Sequence, residues 1–225
     1  MSNYTTEDHT FFISADLGQV NDFTAITITE RIMQCQKNTE FKSWTSQPDK
    51  NPKTFHLRHI ERPARGTTYP NIVDRIKELT NSPQLAGKSK AVVIDITGLG
   101  RPVWDLMQNS GFRRQMNGIT ITGGSTVTQN DDIFSVPKRD LITAMQVAFQ
   151  NEDLKIAKGL PEADALIKEL VNFKVKIGVS GHDTYEAWRE GIHDDIVLSA
   201  AMGVWLASQR QCRLYGPRKG LDINY

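Results

Sequence analysis

The first quarter of the chain alternates apolar and polar positions in the way that β-strands do. An apolar run that begins at Phe11 ends at Asp16, and "TAITITERIM" alternates as a second strand rich in β-branched residues. After a polar stretch with two prolines at residues 42–53, "TFHLRHIER" has the pattern of a third strand. Strands that follow one another through polar turns pair with their neighbours, so this part of the chain is predicted to form an antiparallel meander.

Beyond residue 68 the pattern changes to strands alternating with helices. "KAVVIDITGLG" is a buried strand that ends in Asp95, and "NGITIT" is a shorter strand. Residues 123–135 have the composition of a loop, and "VKIGVSGHDTYEAW" resembles a hairpin. Apolar positions three and four residues apart predict helices over residues 69–79, 101–111, 138–149, 160–173 and 194–208. A meander followed by alternating strands and helices predicts an α/β fold with a mixed sheet flanked by helices.

The 225 residues show no internal repeat, low-complexity block or linker that would divide the chain. We therefore expect a single domain over residues 1–225, with its core at about 10–208 and a basic C-terminal tail at 209–225. A chain of this length can bury a substantial core.

Composition narrows the classes of protein. The net charge of +1 excludes a generally cationic surface, but a nucleic-acid site needs only local charge. No apolar run approaches the ~18 residues of a membrane span, and the polar N-terminus is not a signal peptide. The two cysteines, Cys35 and Cys212, match no metal or redox spacing, so we expect them to be reduced. These features predict a cytoplasmic protein with no membrane partner.

Carboxylates stand at three apolar ends. Asp16 ends the first strand, Asp95 ends the fourth, and the pair Asp194 and Asp195 opens the last helix in "REGIHDDIVLSAA". A buried carboxylate costs several kcal/mol unless its charge is compensated. If the first and fourth strands are neighbours in the sheet, Asp16 and Asp95 lie side by side and raise each other's pKa. A Mg²⁺ or Mn²⁺ ion, which prefers oxygen ligands, removes that penalty.

Each acid alone has a simpler explanation. Asp16 fits a turn, Asp95 fits acceptance of backbone N–H bonds, and Asp194 or Asp195 fits a helix N-cap. The same dipeptide at Asp131 and Asp132 lies in the predicted loop, and no role is assigned to it. The conjunction of strand-end and helix-start acids in one α/β domain is what favours phosphoryl-transfer chemistry supported by two metal ions.

These residues resemble the nuclease domain of phage terminase large subunits, which has the ribonuclease H-like fold. The similar segments cover most of the chain in the family's order, and the last is the most specific. They are "SADLGQVNDFTAITITE", "LRHIERPARGTTYPNIV", "VVIDITGLGRPVWDLM", "VPKRDLITAMQVAFQNEDLKIAKGLPEADALIKELVNF" and "TYEAWREGIHDDIVLSAAMGVWLA".

The resemblance implies a DNA endonuclease that acts in phage genome packaging in the host cytoplasm. Carried over by position, the catalytic and metal-binding acids are Asp16, Asp95, Asp195 and Asp194, with His193 as a further helper to the metals. The cofactors would be two divalent cations, Mg²⁺ or Mn²⁺. We favour Asp195 as the principal third ligand, although the sequence does not rank it firmly above Asp194.

Basic residues near these acids are the candidates for contacting double-stranded DNA, because phosphate contacts supply most sequence-independent affinity. Arg101 follows the Asp95 turn, and Lys138 and Arg139 begin the long helix. Lys174 and Lys176 lie in the predicted hairpin. Charge on a solvated face is the alternative for all five, and no motif indicates base reading.

The chain departs from a full terminase large subunit because it carries no recognisable ATPase motif; "AGKS" at residues 86–89 lacks the P-loop spacing. An ATPase domain, a small terminase subunit and a portal are thus implied partners only. Three other functions stay open: a Holliday-junction-resolvase-like nuclease, an actin-like-fold phosphotransferase suggested by "DLGQ" and "DITGLG", and a non-catalytic packaging module.

Overall fold

The computed structural model of this protein describes residues 4–18, 23–36, 51–98, 100–112, 115–179 and 194–210. Eight strands and five α-helices lie within these ranges. The strands are β1 Tyr4–Asp16, β2 Ala25–Gln36, β3 Lys53–Glu61, β4 Ser89–Asp95, β5 Met116–Thr122, β6 Thr128–Asn130, β7 Ile133–Pro137 and β8 Leu154–Ile156. The helices are α1 Tyr69–Thr80, α2 Gly100–Met107, α3 Lys138–Gln150, α4 Ala163–Val179 and α5 Asp195–Gln209.

All eight strands belong to one sheet, in the order β6-β7-β5-β4-β1-β2-β3-β8. β1, β2 and β3 pair antiparallel as a meander. β4, β5 and β7 then follow β1 in parallel, each beside the last. A meander extended by parallel strands and flanked by helices is the arrangement of the ribonuclease H-like fold, and the predicted fold class is confirmed.

The sheet separates two apolar layers. On one face α1 and α2 cover the apolar side chains that include Ile13, Ile26 and Ile94. On the other face α3, α4 and α5 cover a layer that includes Phe12 and Val93. Alternate residues of β1 and β4 thus serve opposite layers, as the period of two in a strand requires.

α5 is the most deeply buried helix, with residues 196–207 all buried. Its small residues allow it to lie directly on β1 and β2. The Ser199 hydroxyl donates to the Ser14 carbonyl at 3.0 Å and also lies 3.0 Å from Thr27 Oγ1. A methyl group on Gly203 would come within 2.6 Å of Ser14 Oγ, so only glycine permits this approach without displacement.

Several predicted elements need correction. Within residues 123–135, predicted as loop, residues 128–130 form β6 and residues 133–135 begin β7, where Ile133 and Phe134 pack in the apolar layers on opposite sides of the sheet. The predicted hairpin is wrong over residues 175–179, which continue α4. β1 begins earlier than the apolar run, and β8 was not predicted. Helix α2 ends at Met107 and is followed by a π-helical turn, in which Gly111 has a non-helical φ of 93° at the predicted stop.

The expectation that Cys35 is reduced was also wrong, because this residue near the end of β2 is buried and disulfide-bonded. Cys212 lies outside the described residues. Among the described residues, no helix combines the length and hydrophobicity that crossing a membrane requires.

Candidate active site

Two of the predicted acids lie side by side at the carboxyl edge of the sheet. The parallel register pairs Ala15 with Ile94, so the next pair is Asp16 and Asp95. Side chains alternate between faces along a strand, and Phe12 and Val93 both pack in the layer that contains α5. Asp16 and Asp95 follow these residues by even steps and therefore lie on the α5 face.

The pKa of Asp16 depends on burial and on the charged groups around it. Burial raises the pKa of Asp16 well above its usual value, and the charges of Asp95, Asp195 and Asp194 raise it further, in that order. The charge of Lys138 acts in the opposite direction. Carboxylates from β4 and the start of α5, which are far apart in sequence, therefore lie near enough for their charges to act on Asp16 of β1.

Asp95 is held in a defined orientation. The Thr97 N–H donates to Asp95 Oδ1 at 2.7 Å. Burial raises the pKa of Asp95, while hydrogen bonds from Thr97 and the charge of Lys138 offset part of that rise. The expectation that Asp95 accepts backbone hydrogen bonds and the expectation that it adjoins Asp16 are thus compatible.

The first acid at the start of α5 does not act as a conventional cap. Asp194 occupies the N-cap position, but its side chain makes no capping hydrogen bond to the helix. Its Oδ2 instead accepts a hydrogen bond from Lys138 Nζ at 2.8 Å. The carboxylate of Asp194 is therefore directed away from its own helix and toward the neighbouring charged groups.

Lys138 begins α3 as predicted, but its side chain is not on a solvated face. It was expected to contact DNA, but in the structure it is mostly buried and ion-paired with Asp194. It follows Pro137 at the end of β7, so its backbone lies at the same edge of the sheet as Asp16 and Asp95. Its ammonium group is the positive charge that partly neutralises the acids. The sequence contains no signal for this, because the contact depends on where β7 lies in the sheet.

The helix start is capped by a residue that sequence reasoning missed. Glu169 of α4 accepts hydrogen bonds from the N–H groups of Ile196 and Val197, both at 3.1 Å. Its other oxygen pairs with Arg62. The available signal was the position of Glu169 three residues after the buried Leu166, on the apolar side of an amphipathic helix.

The acids fit a divalent cation by their chemistry. Carboxylate oxygens are the donors that Mg²⁺ and Mn²⁺ prefer, and a cation would offset the burial and the like charges that raise the pKa of Asp16. They do not form a ready-made cage, because within the described ranges no three His, Cys, Asp or Glu side chains lie close enough together to hold an ion. In this arrangement Lys138 takes the place of a cation beside Asp194.

Comparison with known proteins adds little to this geometry. No protein-family model matches the sequence, and no curated protein matches it. A solved structure of the human cytomegalovirus terminase nuclease domain, soaked with Mn, is similar. The TM-score is 0.49 at 10% identity, covering 92% of this chain and 87% of that chain.

The remaining predicted residues fall into two groups. His193 and the side chains of Lys174 and Lys176 lie outside the described residues. Arg101 is exposed at the start of α2 and lines a polar cavity of about 600 Å³ that also contains acidic side chains. Arg139 is exposed and donates to the Ser125 carbonyl at 3.1 Å. Their contact with DNA stays a prediction.

Proposed function

We propose that this protein is a metal-dependent endonuclease that hydrolyses phosphodiester bonds in double-stranded DNA. The observation that supports it most is the set of negative charges acting on Asp16, because Asp95, Asp194 and Asp195 reach it from β4 and the start of α5. Such a cluster destabilises the folded state, since each buried like charge raises the energetic cost of burying the others. A functional requirement explains why the chain keeps it.

In this proposal Asp16 and Asp95 hold cations at the end of the sheet, and Asp195 with Asp194 completes the ligand set from α5. Two divalent cations, when bound, would supply the positive charge that activates water and stabilises the departing 3′ oxygen. The protein contributes fixed positions for the carboxylates: Thr97 orients Asp95, and the close approach of α5 to β1 sets the position of the helix start. Lys138 would release Asp194 when the cations enter.

DNA would approach the carboxyl edge of the sheet, where the exposed Arg139 lies in the first turn of α3. Arg101 is a second candidate, with its neighbouring acids limiting its contribution. Sequence preference should be weak, because no base-reading motif is present. Cleavage of concatemeric DNA during phage genome packaging, together with an ATPase domain, a small terminase subunit and a portal, is the biological setting that we propose.

The alternative phosphotransferase function is less well supported. A sugar kinase with an actin-like fold gives no role to the acids at the start of α5, whereas here Asp194 and Asp195 act on Asp16. A Holliday-junction resolvase would use the same acids and differ only in its substrate. Cleavage of four-way junctions compared with linear duplexes separates the two nucleases.

The direct test incubates the protein with supercoiled plasmid in Mg²⁺ or Mn²⁺, beside an Asp95→Asn variant. We expect the wild type to nick and linearise the plasmid and the variant to lose at least about 100-fold in rate, because the isosteric amide removes a charged ligand while keeping the fold. EDTA should abolish wild-type cleavage. Intact plasmid with both metals, or equal cleavage by the variant, would exclude the proposed function.

A further inference from the structure

Glu169 joins three parts of the protein through its two carboxylate oxygens. The Oε2 atom accepts the N–H groups of Ile196 and Val197 at the start of α5, both at 3.1 Å. The Oε1 atom pairs with Arg62, the residue that follows β3. The Glu169 side chain is nearly enclosed, with 5% of the residue exposed. A buried carboxylate is retained only where its charge is well compensated, and here a guanidinium group and two backbone donors compensate it.

This contact replaces the cap that the helix would otherwise need. The first N–H groups of a helix have no partner within the helix, and a side chain at the N-cap position usually satisfies one of them. Asp194 holds that position without making the bond, and its carboxylate pairs with Lys138 instead. Because Glu169 satisfies the N–H groups from outside, the acids of α5 are released from capping. A negative charge at this end also stabilises the helix dipole.

Arg62 extends the connection to the turn after β1. Its guanidinium group lies over the ring of Phe23, 5.2 Å from the centroid. Phe23 adjoins Thr24, whose hydroxyl accepts the N–H of Gly18 at 3.2 Å, and Gly18 lies two residues beyond Asp16. The chain from Glu169 through Arg62 and Phe23 therefore links the start of α5 with the segment that follows the first acid.

We propose that Glu169 is a positioning residue, which fixes the start of α5 so that Asp195 and Asp194 face Asp16 and Asp95. It acts through the backbone N–H groups of Ile196 and Val197. This inference rests on the proposed nuclease function for its catalytic consequence. The capping contact itself is independent of any activity.

The test compares Glu169→Ala and Glu169→Gln with the wild type. For each protein, plasmid cleavage is followed across a Mn²⁺ titration, and Mn²⁺ binding is measured by calorimetry at a temperature where all the proteins are folded. We expect Glu169→Ala to raise the Mn²⁺ concentration at half-maximal cleavage by about 10-fold or more, the size of effect that residues supporting metal ligands usually have. Glu169→Gln keeps an oxygen for the N–H groups and should recover much of the loss.

Glu30 provides a matched control elsewhere in the fold. It is a glutamate with 6% exposure that pairs with Arg58 and His9. It lies two residues after Ile28 in β2, and therefore on the face of the sheet opposite to α5. Glu30→Ala should lower the melting temperature without changing the Mn²⁺ midpoint. If Glu169→Ala fails to fold, Arg62→Met serves as the second variant, and it should shift the midpoint in the same direction by a smaller factor.

The outcomes distinguish the positioning role of Glu169 from the proposed nuclease function. Wild-type cleavage with an unchanged Mn²⁺ midpoint in Glu169→Ala, or an equal shift in Glu30→Ala, would overturn the positioning role and leave the nuclease function standing. A wild type that neither cleaves DNA nor binds Mn²⁺ would overturn both. In that case faster hydrogen exchange at the amides of Ile196 and Val197 in Glu169→Ala would still identify the contact as a structural cap alone.

Discussion

At the scale of single residues, Asp16 bears the greatest electrostatic cost in the site. Burial and the charges of Asp95, Asp195 and Asp194 all raise its pKa. In the absence of metal, the Asp16→Asn variant should therefore be more stable than the wild type by about 1 kcal/mol, which is a rise of about 2–4 °C in melting temperature for a chain of this size. The same variant should lose cleavage, because the amide is a poor cation ligand.

The stability difference between Asp16→Asn and the wild type should depend on pH, because the pKa of Asp16 is raised in the folded protein. Because the pKa of Asp16 is higher in the folded protein than in the unfolded chain, the charged group costs stability at neutral pH, and protonation of the folded state relieves that cost as the pH falls. The advantage of Asp16→Asn should be full above the raised pKa of Asp16 in the folded protein, decline as the pH falls below it, and vanish below the ordinary pKa of aspartate. Thermal unfolding in EDTA between pH 4 and pH 8 measures it. A destabilised variant at neutral pH would indicate a structural role for Asp16.

Lys138 and Arg139 are adjacent basic residues with different environments, and each is a control for the other. Lys138 is ion-paired with Asp194 and lowers the pKa of Asp16 and Asp95, while Arg139 is exposed. We expect Lys138→Ala to reduce the melting temperature in EDTA by about 2–4 °C and to regain most of this loss in Mg²⁺. Arg139→Ala should leave stability unchanged and weaken DNA binding.

Thermal unfolding and a DNA-binding assay at two salt concentrations distinguish the two roles, since loss of a phosphate contact reduces the salt dependence. Equal loss of stability in both variants, or no effect of Mg²⁺ on Lys138→Ala, would contradict the assignment of Lys138 as the internal counter-ion.

The positions of the acids at the strand ends could be predicted from the sequence, whereas the residues that contact the start of α5 could not. Asp16 and Asp95 each end an apolar run, and a charge in that position is visible in the sequence. Glu169 and Lys138 reach the site only through the packing of α4 and the place of β7 in the sheet. Neither relation has a local sequence signal strong enough to identify a role.

At the scale of elements, the distance between α5 and β1 determines where the last acids lie. Gly203→Ala places a methyl group 2.6 Å from Ser14 Oγ. Alanine is the better helix former by about 1 kcal/mol, but overpacking in a rigid core costs about 1–3 kcal/mol. We expect a net loss of stability and a fall in cleavage as the helix shifts.

The double variant Ser14→Ala with Gly203→Ala tests whether contact with the Ser14 hydroxyl causes the expected loss in Gly203→Ala. Removing the Ser14 hydroxyl leaves its Cβ at 3.7 Å from the added methyl group, which is ordinary contact. Stability and cleavage should therefore recover toward the wild type, as measured by thermal unfolding and plasmid nicking. A double variant as impaired as Gly203→Ala would show that the close approach of helix and strand is not the reason for this glycine.

Most helices and central strands followed from hydrophobic periodicity, because their buried faces are regular. The elements that were missed lie at the edges of the sheet. β6 has three exposed residues and β8 has three residues in all, so neither carries a periodic pattern, and both are strands only because a neighbour supplies hydrogen bonds. The polar beginning of β1 was missed for the same reason, since it pairs with the end of β2.

At the scale of the whole molecule, the sheet brings distant segments to one edge. β1, β4 and β7 run parallel and end together, and α5 begins over the same edge. The sequence left open whether the first and fourth strands are neighbours, and the packing of the chain is what brings the charges of Asp95, Asp194 and Asp195 to act on Asp16. The site is thus a property of the topology and not of any single motif.

The proposed metal site at these carboxylates is tested most directly by soaking a crystal of the protein in Mn²⁺ and locating the metal by anomalous scattering. We expect Mn²⁺ to bind between the carboxylates of Asp16, Asp95 and Asp195, with Lys138 moved away from Asp194. A crystal of Asp95→Asn soaked in the same way should show much weaker metal density. Metal bound elsewhere, or none at these carboxylates at millimolar Mn²⁺, would contradict the account.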